Sequence, residues 1–208
     1  MNKLRFKNLK GFQQYEKTYS KDEIVLFNSR YLKSDNEVDR EKGIMSNLYS
    51  NNYEITFHNN KFNSAEQLLY YINFLKYGEK VADVPTLVTK FDLLFHCKNG
   101  LQVKNTPRVK YFFEKIESWK KKNLGFENCL FDSWKNLYLI VRYKYKYCKE
   151  FREILEKYKD KVYCEDSNWG DNFCGVVWDD ELGKYRGINA LGRVMKRVYF
   201  ERDEIMKE

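Results

Sequence analysis

The chain has 208 residues, 43% of them hydrophobic and 17% aromatic, and carries a formal net charge of +8. This composition excludes an intrinsically disordered chain and suffices for one domain with its own core. The opening residues lack the apolar segment of a signal peptide, and no run approaches the roughly 18 apolar residues of a membrane span. We therefore expect a soluble, cytoplasmic protein with no membrane partner. The positive charge permits a nucleic-acid partner, but a Lys-rich composition alone has the same effect.

Cysteine and histidine are too few and too scattered to predict a metal centre. The five cysteines are odd in number and form no C-x-x-C pair, and the chain has only two histidines. Because a zinc site needs about four convergent ligands, the adjacent His96 and Cys97 are not sufficient. We therefore expect inert thiols, no metal and no cofactor.

The first part of the chain predicts short strands joined by loops. Residues 1–22 are polar and basic, which indicates a loosely attached arm or a short helix. An apolar run at 23–29 predicts a buried strand, whereas the charged residues 34–43 are typical of a loop. Alternation over 53–57 predicts a half-exposed strand that the following asparagines turn.

The remainder predicts helices. Asn63 or Ser64 can cap a helix with Glu66 in its first turn, where a carboxylate suits the helix dipole. Apolar spacing then predicts a basic helix at 109–122, helices at 133–146 and 150–158, a strand at 161–164, and a last helix from Ala190. The fold class predicted is one mainly α domain with a few short strands at 23–208, with an insertion at about 80–132.

Two basic stretches are candidates for nucleic-acid contact. Lysine and arginine outnumber acids between 104 and 122, and residues 143–147 alternate tyrosine with lysine. Aromatic rings can stack on bases while lysines hold phosphates. Neither stretch requires a nucleic-acid partner. A basic run such as 104–122 is usually a solvated helix face, and the alternating side chains of 143–147 would point to different sides of a helix.

Two polar loops border the C-terminal helix. Residues 165–172 place Trp169 after two carboxylates and before Gly170, which is typical of a loop. Residues 187–195 indicate a turn, an Asn189 cap and a helix. Together the loops predict a ligand site, although a solvated turn with Trp169 folded back as an apolar plug also explains the first loop.

Six short segments occur in a characteristic order over about 150 residues. They are Met45-Ser46-Asn47-Leu48-Tyr49, Ser64-Ala65-Glu66-Gln67, Tyr77-Gly78-Glu79, Trp134, Asp166 to Gly170, and Gly187 to Met195. Their order and spacing resemble the NADAR family, the NAD- and ADP-ribose-associated proteins that include N-glycosidases of riboflavin-pathway intermediates. Each segment alone is weak, but six in register are specific. The resemblance implies a single NADAR-like domain.

The chain departs from the family pattern in two places. Asn73 stands where the family usually has lysine, and the segment between Gly78 and Trp134 is much longer than in the family. Lys76 lies about one turn further along the same helix and is a candidate replacement for the missing cation. The departure at Asn73 leaves a non-catalytic ADP-ribose or NAD sensor as the alternative function.

The resemblance implies hydrolysis of the C1–N bond between a ribose and a nitrogen base. Departure of the base leaves positive charge on the sugar, so nearby carboxylates can stabilise it or activate water, and Glu66 and Asp166 are the candidates. The expected substrates are ADP-ribosyl-guanine on DNA or RNA, and ribosylamino-pyrimidine phosphates of the riboflavin pathway. The residues expected to bind substrate are Ser46, Asn47, Tyr49, Asn73, Trp134, Trp169, Gly170, Asp171, Asn189 and Gly192.

Overall fold

The computed structural model describes residues 16–50, 53–81, 94–167, 171 and 173–208. In these ranges the protein is mainly helical with a few short strands, as the sequence predicts. The helices are α1 (Glu37–Ile44), α2 (Ala65–Tyr77), α3 (Gly100–Asn105), α4 (Pro107–Leu124), α5 (Phe126–Tyr147), α6 (Lys149–Lys157), α7 (Ala190–Phe200) and α8 (Arg202–Ile205). The strands are β1 (Lys17–Tyr19), β2 (Ile24–Phe27), β3 (Ile55–Phe57), β4 (Asn60–Phe62), β5 (Val162–Glu165), β6 (Val177–Asp179) and β7 (Lys184–Gly187). None of the helices in these ranges is long and apolar enough to cross a membrane.

Helix α2 lies at the centre of the apolar core and starts where the sequence predicts. Ser64 has an extended backbone, and its Oγ accepts a hydrogen bond from the backbone N–H of Gln67 at 3.1 Å, which satisfies a donor exposed at the helix start. The helix packs against α4 and α5 and buries Leu68, Ile72 and Phe74. Full burial of each such side chain contributes about 1.5–3 kcal/mol.

Two helices differ from the sequence prediction. The sequence predicts a helix from residue 133, but α5 begins at Phe126, because Gly125 adopts a φ of 73° and turns the chain directly out of α4. Residues 34–43, expected as a loop, contain most of α1. Asn36 caps α1 by accepting from the backbone N–H of Asp39 at 3.2 Å. This charged helix has only a weak apolar stripe, so the cap was its main signal.

The strands form three small sheets. The first has the antiparallel order β1, β7, β6, and the second is the β3–β4 hairpin, which includes the predicted strand at 53–57. Residues 17–19, expected in a loose arm or a short helix, instead form β1. Strands β6 and β7 were not predicted, because with 3 and 4 residues they are too short for an alternating pattern to stand out.

The third sheet brings together two distant polar segments. Strands β2 and β5 pair in parallel, and their carboxyl ends meet at Phe27 and Glu165. Because polar residues that follow parallel strands collect at one edge of the sheet, Asn28 and Asp166 become neighbours although 138 residues separate them. This edge is where the candidate site lies.

Candidate functional site

A cavity of about 950 Å³ opens at the carboxyl ends of the parallel strands. Its walls are the strand ends with the turn of Asp171, Phe173 and Cys174, the face of α2 with the adjoining 46–48 loop, the face of α4 with the end of α3, and part of α5. Small-molecule sites usually measure about 300–1,000 Å³, so a ligand of nucleotide size fits. The predicted site residues that line the cavity are Ser46, Asn47, Glu66, Asn73, Asp166 and Asp171.

Polar contacts between the two strands hold the strand-end wall. Asn28 donates from Nδ2 to the carbonyl oxygen of Asp166 at 2.6 Å, and its Oδ1 accepts from the backbone N–H of Arg30 at 3.0 Å. The Arg30 guanidinium forms an ion pair with the largely buried carboxylate of Asp166. Because this contact engages the carboxylate, Asp166 is less suited to act as a free general base than the sequence predicts.

The α2 wall connects two of the NADAR-like segments. The backbone N–H of Glu66 donates to the carbonyl oxygen of Asn47 at 3.0 Å, which fixes the 46–48 loop at the start of α2. Glu66, Leu69 and Asn73 then line the cavity at helical spacing. Asn73 is only 1% exposed, and its Nδ2 donates to the carbonyl oxygen of Leu69 at 2.9 Å. Position 73 therefore presents a neutral amide, not a cation, to the cavity.

The predicted insertion supplies the α4 wall and makes it basic. Its lining residues are Lys104, Asn105, Lys110, Phe113, Glu117 and Lys120. Phe113 stacks on Tyr70 of α2, with the ring centroids 4.1 Å apart and the planes 21° from parallel, so the two walls are in direct contact. The basic stretch is therefore divided between the cavity and the solvated face that the sequence predicts, where Lys121 and Lys122 lie.

Two carboxyl groups in the cavity hold protons more tightly than usual. Burial raises the pKa of Glu66, and the positive charge of Lys104 partly opposes this. Burial also raises the pKa of Glu165 to about 7, with further repulsion from Asp171 and Glu66. Near neutral pH the protonated and ionised forms of Glu165 are thus close in free energy, which suits a group that exchanges protons in catalysis.

Lys120 is buried beside the cavity in a network of charges. Its Nζ lies 2.8 Å from Glu117 Oε1 and 3.1 Å from Asp132 Oδ2, while the Nζ of Lys76 lies 3.2 Å from Asp132 Oδ1. Burial alone would lower the pKa of Lys120, but the two carboxylates raise it. Lys76 also donates to Asn136 Oδ1 at 2.5 Å. Lys76, the candidate replacement for a lysine at position 73, is therefore held by α5 and does not line the cavity.

The Tyr-Lys alternation at 143–147 is divided between surface and core. Lys144 is 0% exposed, and its Nζ donates to the carbonyl oxygens of residues 44–46 at 2.5–3.2 Å. Burial lowers the pKa of Lys144 to about 7. Lys144 and Tyr145 are buried, so of the two alternatives for this stretch, nucleic-acid contact does not apply to these two side chains. Lys144 instead anchors the loop that carries Ser46 and Asn47.

Four residues expected to bind substrate lie off the cavity wall, namely Tyr49, Trp134, Asn189 and Gly192. The side chain of Asn189 is buried and donates from Nδ2 to the carbonyl oxygen of Tyr163 at 2.8 Å. The first backbone N–H groups of α7 donate to the carbonyl oxygens of Phe173 and Cys174, so they are not free to bind the anion expected there. A Cβ at Gly192 would come within 1.8 Å of the Tyr163 oxygen, so this glycine lets α7 pack on β5.

Phe173, rather than Trp134, brings an aromatic ring to this side of the cavity. The buried Trp134 packs edge to face on Phe173, with the ring centroids 5.8 Å apart. Asp171 orders the turn by accepting from the backbone N–H groups of Phe173 and Cys174 at 3.1 Å. Trp169 and Gly170, also expected to bind substrate, lie outside the described residues.

Sequence reasoning missed Glu165, Phe173 and the placement of Lys104, Lys110 and Lys120 along the cavity. The apolar run before Glu165 and Asp166 marks the end of a strand, and polar residues at such ends line sites in parallel sheets. That signal could have identified Glu165. The cavity-lining lysines had no comparable signal. Helical spacing shows which residues share one face of a helix, but it does not show which other element packs against that face.

No family model, curated protein or solved structure matches the chain. Within the described ranges, no three or more His, Cys, Asp or Glu side chains are grouped so as to hold a metal ion. All five cysteines are free thiols, and four of them are buried. The cavity wall offers carboxyl groups, amides, lysines and aromatic rings.

Proposed function

We propose that the protein is an N-glycosidase that hydrolyses the C1–N bond between a ribose and a nitrogen base, in a NADAR-like domain. One observation carries the proposal. Segments that resemble the NADAR pattern but lie far apart in the sequence line one cavity of nucleotide size, and this cavity contains Glu66 and Glu165 with raised pKa values. Perturbed carboxyl groups in a concave site are typical of acid–base catalysis.

The side chains present suit this reaction. Glu66 projects from the first turn of α2 and is the group we assign to activate the attacking water. As the C1–N bond breaks, positive charge develops on the ribose, and the carboxylates of Asp166 and Asp171 stabilise it electrostatically. The stacked rings of Tyr70 and Phe113 provide a flat apolar surface for a base.

Two substrate classes fit this site, namely ADP-ribosyl-guanine on nucleic acid and ribosylamino-pyrimidine phosphates. Both carry phosphate, for which Lys104 and Lys110 supply opposite charge on the cavity wall. The exposed lysines of α4 favour nucleic acid, because a polyanion needs counter-charge outside the pocket. Affinity for a DNA oligomer should then fall with salt, with a log-log slope of about −0.7 to −0.9 per phosphate contact. A flat salt response would favour the small phosphorylated substrate.

A non-catalytic sensor of ADP-ribose or NAD is the second candidate. Asn73 favours it, because a neutral amide occupies the position of the family lysine. Lys76 does not restore the charge in the cavity, since Asp132 and Asn136 hold its Nζ. Such a protein would bind the ligand in the same cavity without turnover.

Release of free base separates the two candidates. We expect the wild type to release base from ADP-ribosyl-guanosine DNA or from a ribosylamino-pyrimidine phosphate, with Glu66→Gln slower by about 10²–10⁴-fold. ADP-ribose binding, followed by calorimetry, should change little, because the substitution keeps volume and removes mainly charge. Glu153→Gln on the exposed face of α6 is the matched control and should keep full activity. Binding without turnover in the wild type would favour the sensor, and absence of both would contradict both candidates.

A further inference from the structure

The proposed reaction needs a proton donor as well as a base. A neutral nitrogen base leaves poorly as an anion, so a general acid must protonate it as the C1–N bond breaks. Five carboxyl groups line the described cavity wall: Glu66, Glu117, Glu165, Asp166 and Asp171. Their surroundings decide which of them can carry a proton before the reaction.

Three of the five already have cationic or hydrogen-bonding partners. Glu117 lies 2.8 Å from the Nζ of Lys120, and Asp166 forms an ion pair with Arg30. Asp171 accepts two backbone hydrogen bonds in its own turn. In the described part of the chain, Glu66 and Glu165 have no comparable ion pair, which leaves them as the proton-exchanging pair.

Glu165 is fixed on a different wall from Glu66. It is the last residue of β5, where it pairs with Phe27, and its carbonyl oxygen accepts from the backbone N–H of Val176 at 2.8 Å. A Cβ at Gly175 would come within 2.3 Å of that oxygen, so the backbone of Glu165 is tightly enclosed. The strand end and α2 thus bring two carboxyl groups to one cavity from separate elements.

We propose that Glu165 is the general acid that protonates the leaving base, while ionised Glu66 acts as the general base. The assignment rests on the proposed function. The C1–N bond breaks with its electron pair going to nitrogen, and that nitrogen takes the proton of Glu165. The oxygen of water forms the new C1–O bond as Glu66 takes one of its protons. Glu66 then releases its proton and Glu165 regains one through solvent, so the net reaction consumes one water.

The electrostatics of the pair support this division of roles. Burial raises the pKa of Glu165 to about 7, and repulsion from Asp171 and Glu66 adds to the shift. An ionised Glu66 therefore itself favours a protonated Glu165, as expected for two coupled carboxyl groups. Lys104 favours the ionised form of both groups.

A leaving group that needs no proton tests the assignment. Nicotinamide joined through its positively charged ring nitrogen leaves as a neutral molecule, whereas guanine or an amino-pyrimidine requires protonation. The wild type, Glu165→Gln and Glu165→Asp are compared on a neutral-base substrate and on NAD. We expect Glu165→Gln to slow release of the neutral base by about 10²–10⁴-fold and nicotinamide release by less than about tenfold. Glu165→Asp, which keeps a carboxyl group, should retain more activity on the neutral base than Glu165→Gln.

The pH profile gives an independent measure that a purely structural role would not move. In the wild type, kcat/KM for the neutral base should fall above about pH 7, where Glu165 loses its proton, and Glu165→Gln should lack this fall. If the wild type does not cleave NAD, the pH profile alone tests whether Glu165 is the general acid. Equal losses on both substrates, or an unchanged pH profile in Glu165→Gln, would overturn the assignment.

Two controls separate failure of this assignment from failure of the proposed function. Thermal unfolding and ADP-ribose affinity establish that each variant is folded, and if Glu165→Gln does not fold, the pH profile of Glu165→Asp takes its place. A wild type that hydrolyses none of the substrates would overturn the proposed function, and this inference with it. A wild type that releases base while Glu165→Gln behaves like Glu153→Gln would overturn only the assignment of Glu165.

Discussion

Lys120 and Lys144 are both buried, but they have different partners. The Nζ of Lys120 lies 2.8 Å from one carboxylate oxygen and 3.1 Å from another, whereas the Nζ of Lys144 donates to backbone carbonyl oxygens and lies over the rings of Tyr49 and Phe151. The carboxylates overcome the effect of burial and raise the pKa of Lys120, while burial lowers the pKa of Lys144 to about 7. The charge of the partners, rather than the depth of burial, decides whether a buried lysine stays charged.

The two lysines position different walls of the same cavity. Lys144 joins α5 to the end of α1 and to the loop that carries Ser46 and Asn47. Lys120 joins α4 to α5 through Asp132, which also binds Lys76 of α2. A failure of either anchor should therefore change the site as well as the stability of the protein.

The largest expected effect is that of Asp132→Asn. The substitution removes the carboxylate between Lys120 and Lys76 and leaves two partly or fully buried cations without it, at a cost of about 3–5 kcal/mol. Denaturant unfolding measures the loss. Glu114→Gln, on the exposed side of α4, should change the free energy of unfolding by less than about 0.5 kcal/mol. A similar small change in Asp132→Asn would mean that neither Lys120 nor Lys76 depends on the carboxylate of Asp132.

A smaller loss is expected for Lys144→Met. The variant removes the Nζ donor from three carbonyl oxygens, two of them in buried bonds, but it also removes a buried charge, so we expect a net loss of about 1–3 kcal/mol. Amide hydrogen exchange should quicken at Leu48 and Glu66, whose N–H groups bond to Ser46 and Asn47. Lys149→Met, at an exposed position of α6, should leave both the unfolding free energy and the exchange unchanged. Unaltered exchange in Lys144→Met would show that the loop does not need this anchor.

Local patterns predicted the elements that carry strong local signals. The Ser64 cap and the apolar face of α2 were sufficient to place that helix and Glu66 within it. The final helix begins where the Asn189 segment predicts, but the Asn189 side chain makes no capping hydrogen bond, and nearby carbonyl oxygens occupy the first N–H groups that were expected to bind an anion. Caps and periodicity are properties of neighbouring residues, so a single sequence can reveal them.

The features that sequence reasoning missed depend on contacts between distant segments. Lys120 and Lys121 look alike in the sequence, and only the arrival of Asp132 from α5 makes the first a buried cation. Lys144 lies in a Tyr-Lys alternation that suggested a binding surface, yet the end of α1 covers it. The strand before Glu165 is predicted from its apolar run, but its parallel pairing with β2, which brings Glu165 to the cavity, is a contact between distant segments.

Stability as a function of pH should separate the two buried lysines. The folded pKa of Lys144 is about 7 and lies below its unfolded value, so between these values the unfolded chain binds the extra proton. Its contribution therefore makes the unfolding free energy rise with pH above about 7, by up to about 1.4 kcal/mol per pH unit. Lys144→Met should lose this rise. Lys120→Met should keep this rise. The pKa of Lys120 is raised in the folded protein, so Lys120 stabilises the fold fully below its unfolded pKa and loses this contribution only as the pH rises through its folded pKa. Equal pH dependence in the two variants would contradict the comparison.

The smallest effect concerns Lys104, an exposed lysine that acts on the cavity from a distance. Its charge lowers the pKa values of Glu66 and Glu165, so Lys104→Gln should move the fall in kcat/KM to higher pH. Solvent and ions reach this side chain, unlike those of Lys120 and Lys144. Because the screening length shrinks to about 3 Å at 1 M salt, the wild type and Lys104→Gln should then have nearly the same profile. Lys121→Gln, on the solvated side of α4, should not move the profile at any salt concentration. A shift of the pH profile that persists at 1 M salt would mean that Lys104 contacts the carboxyl groups directly, as Lys120 contacts its partners. It would contradict an action through solvent that salt can screen.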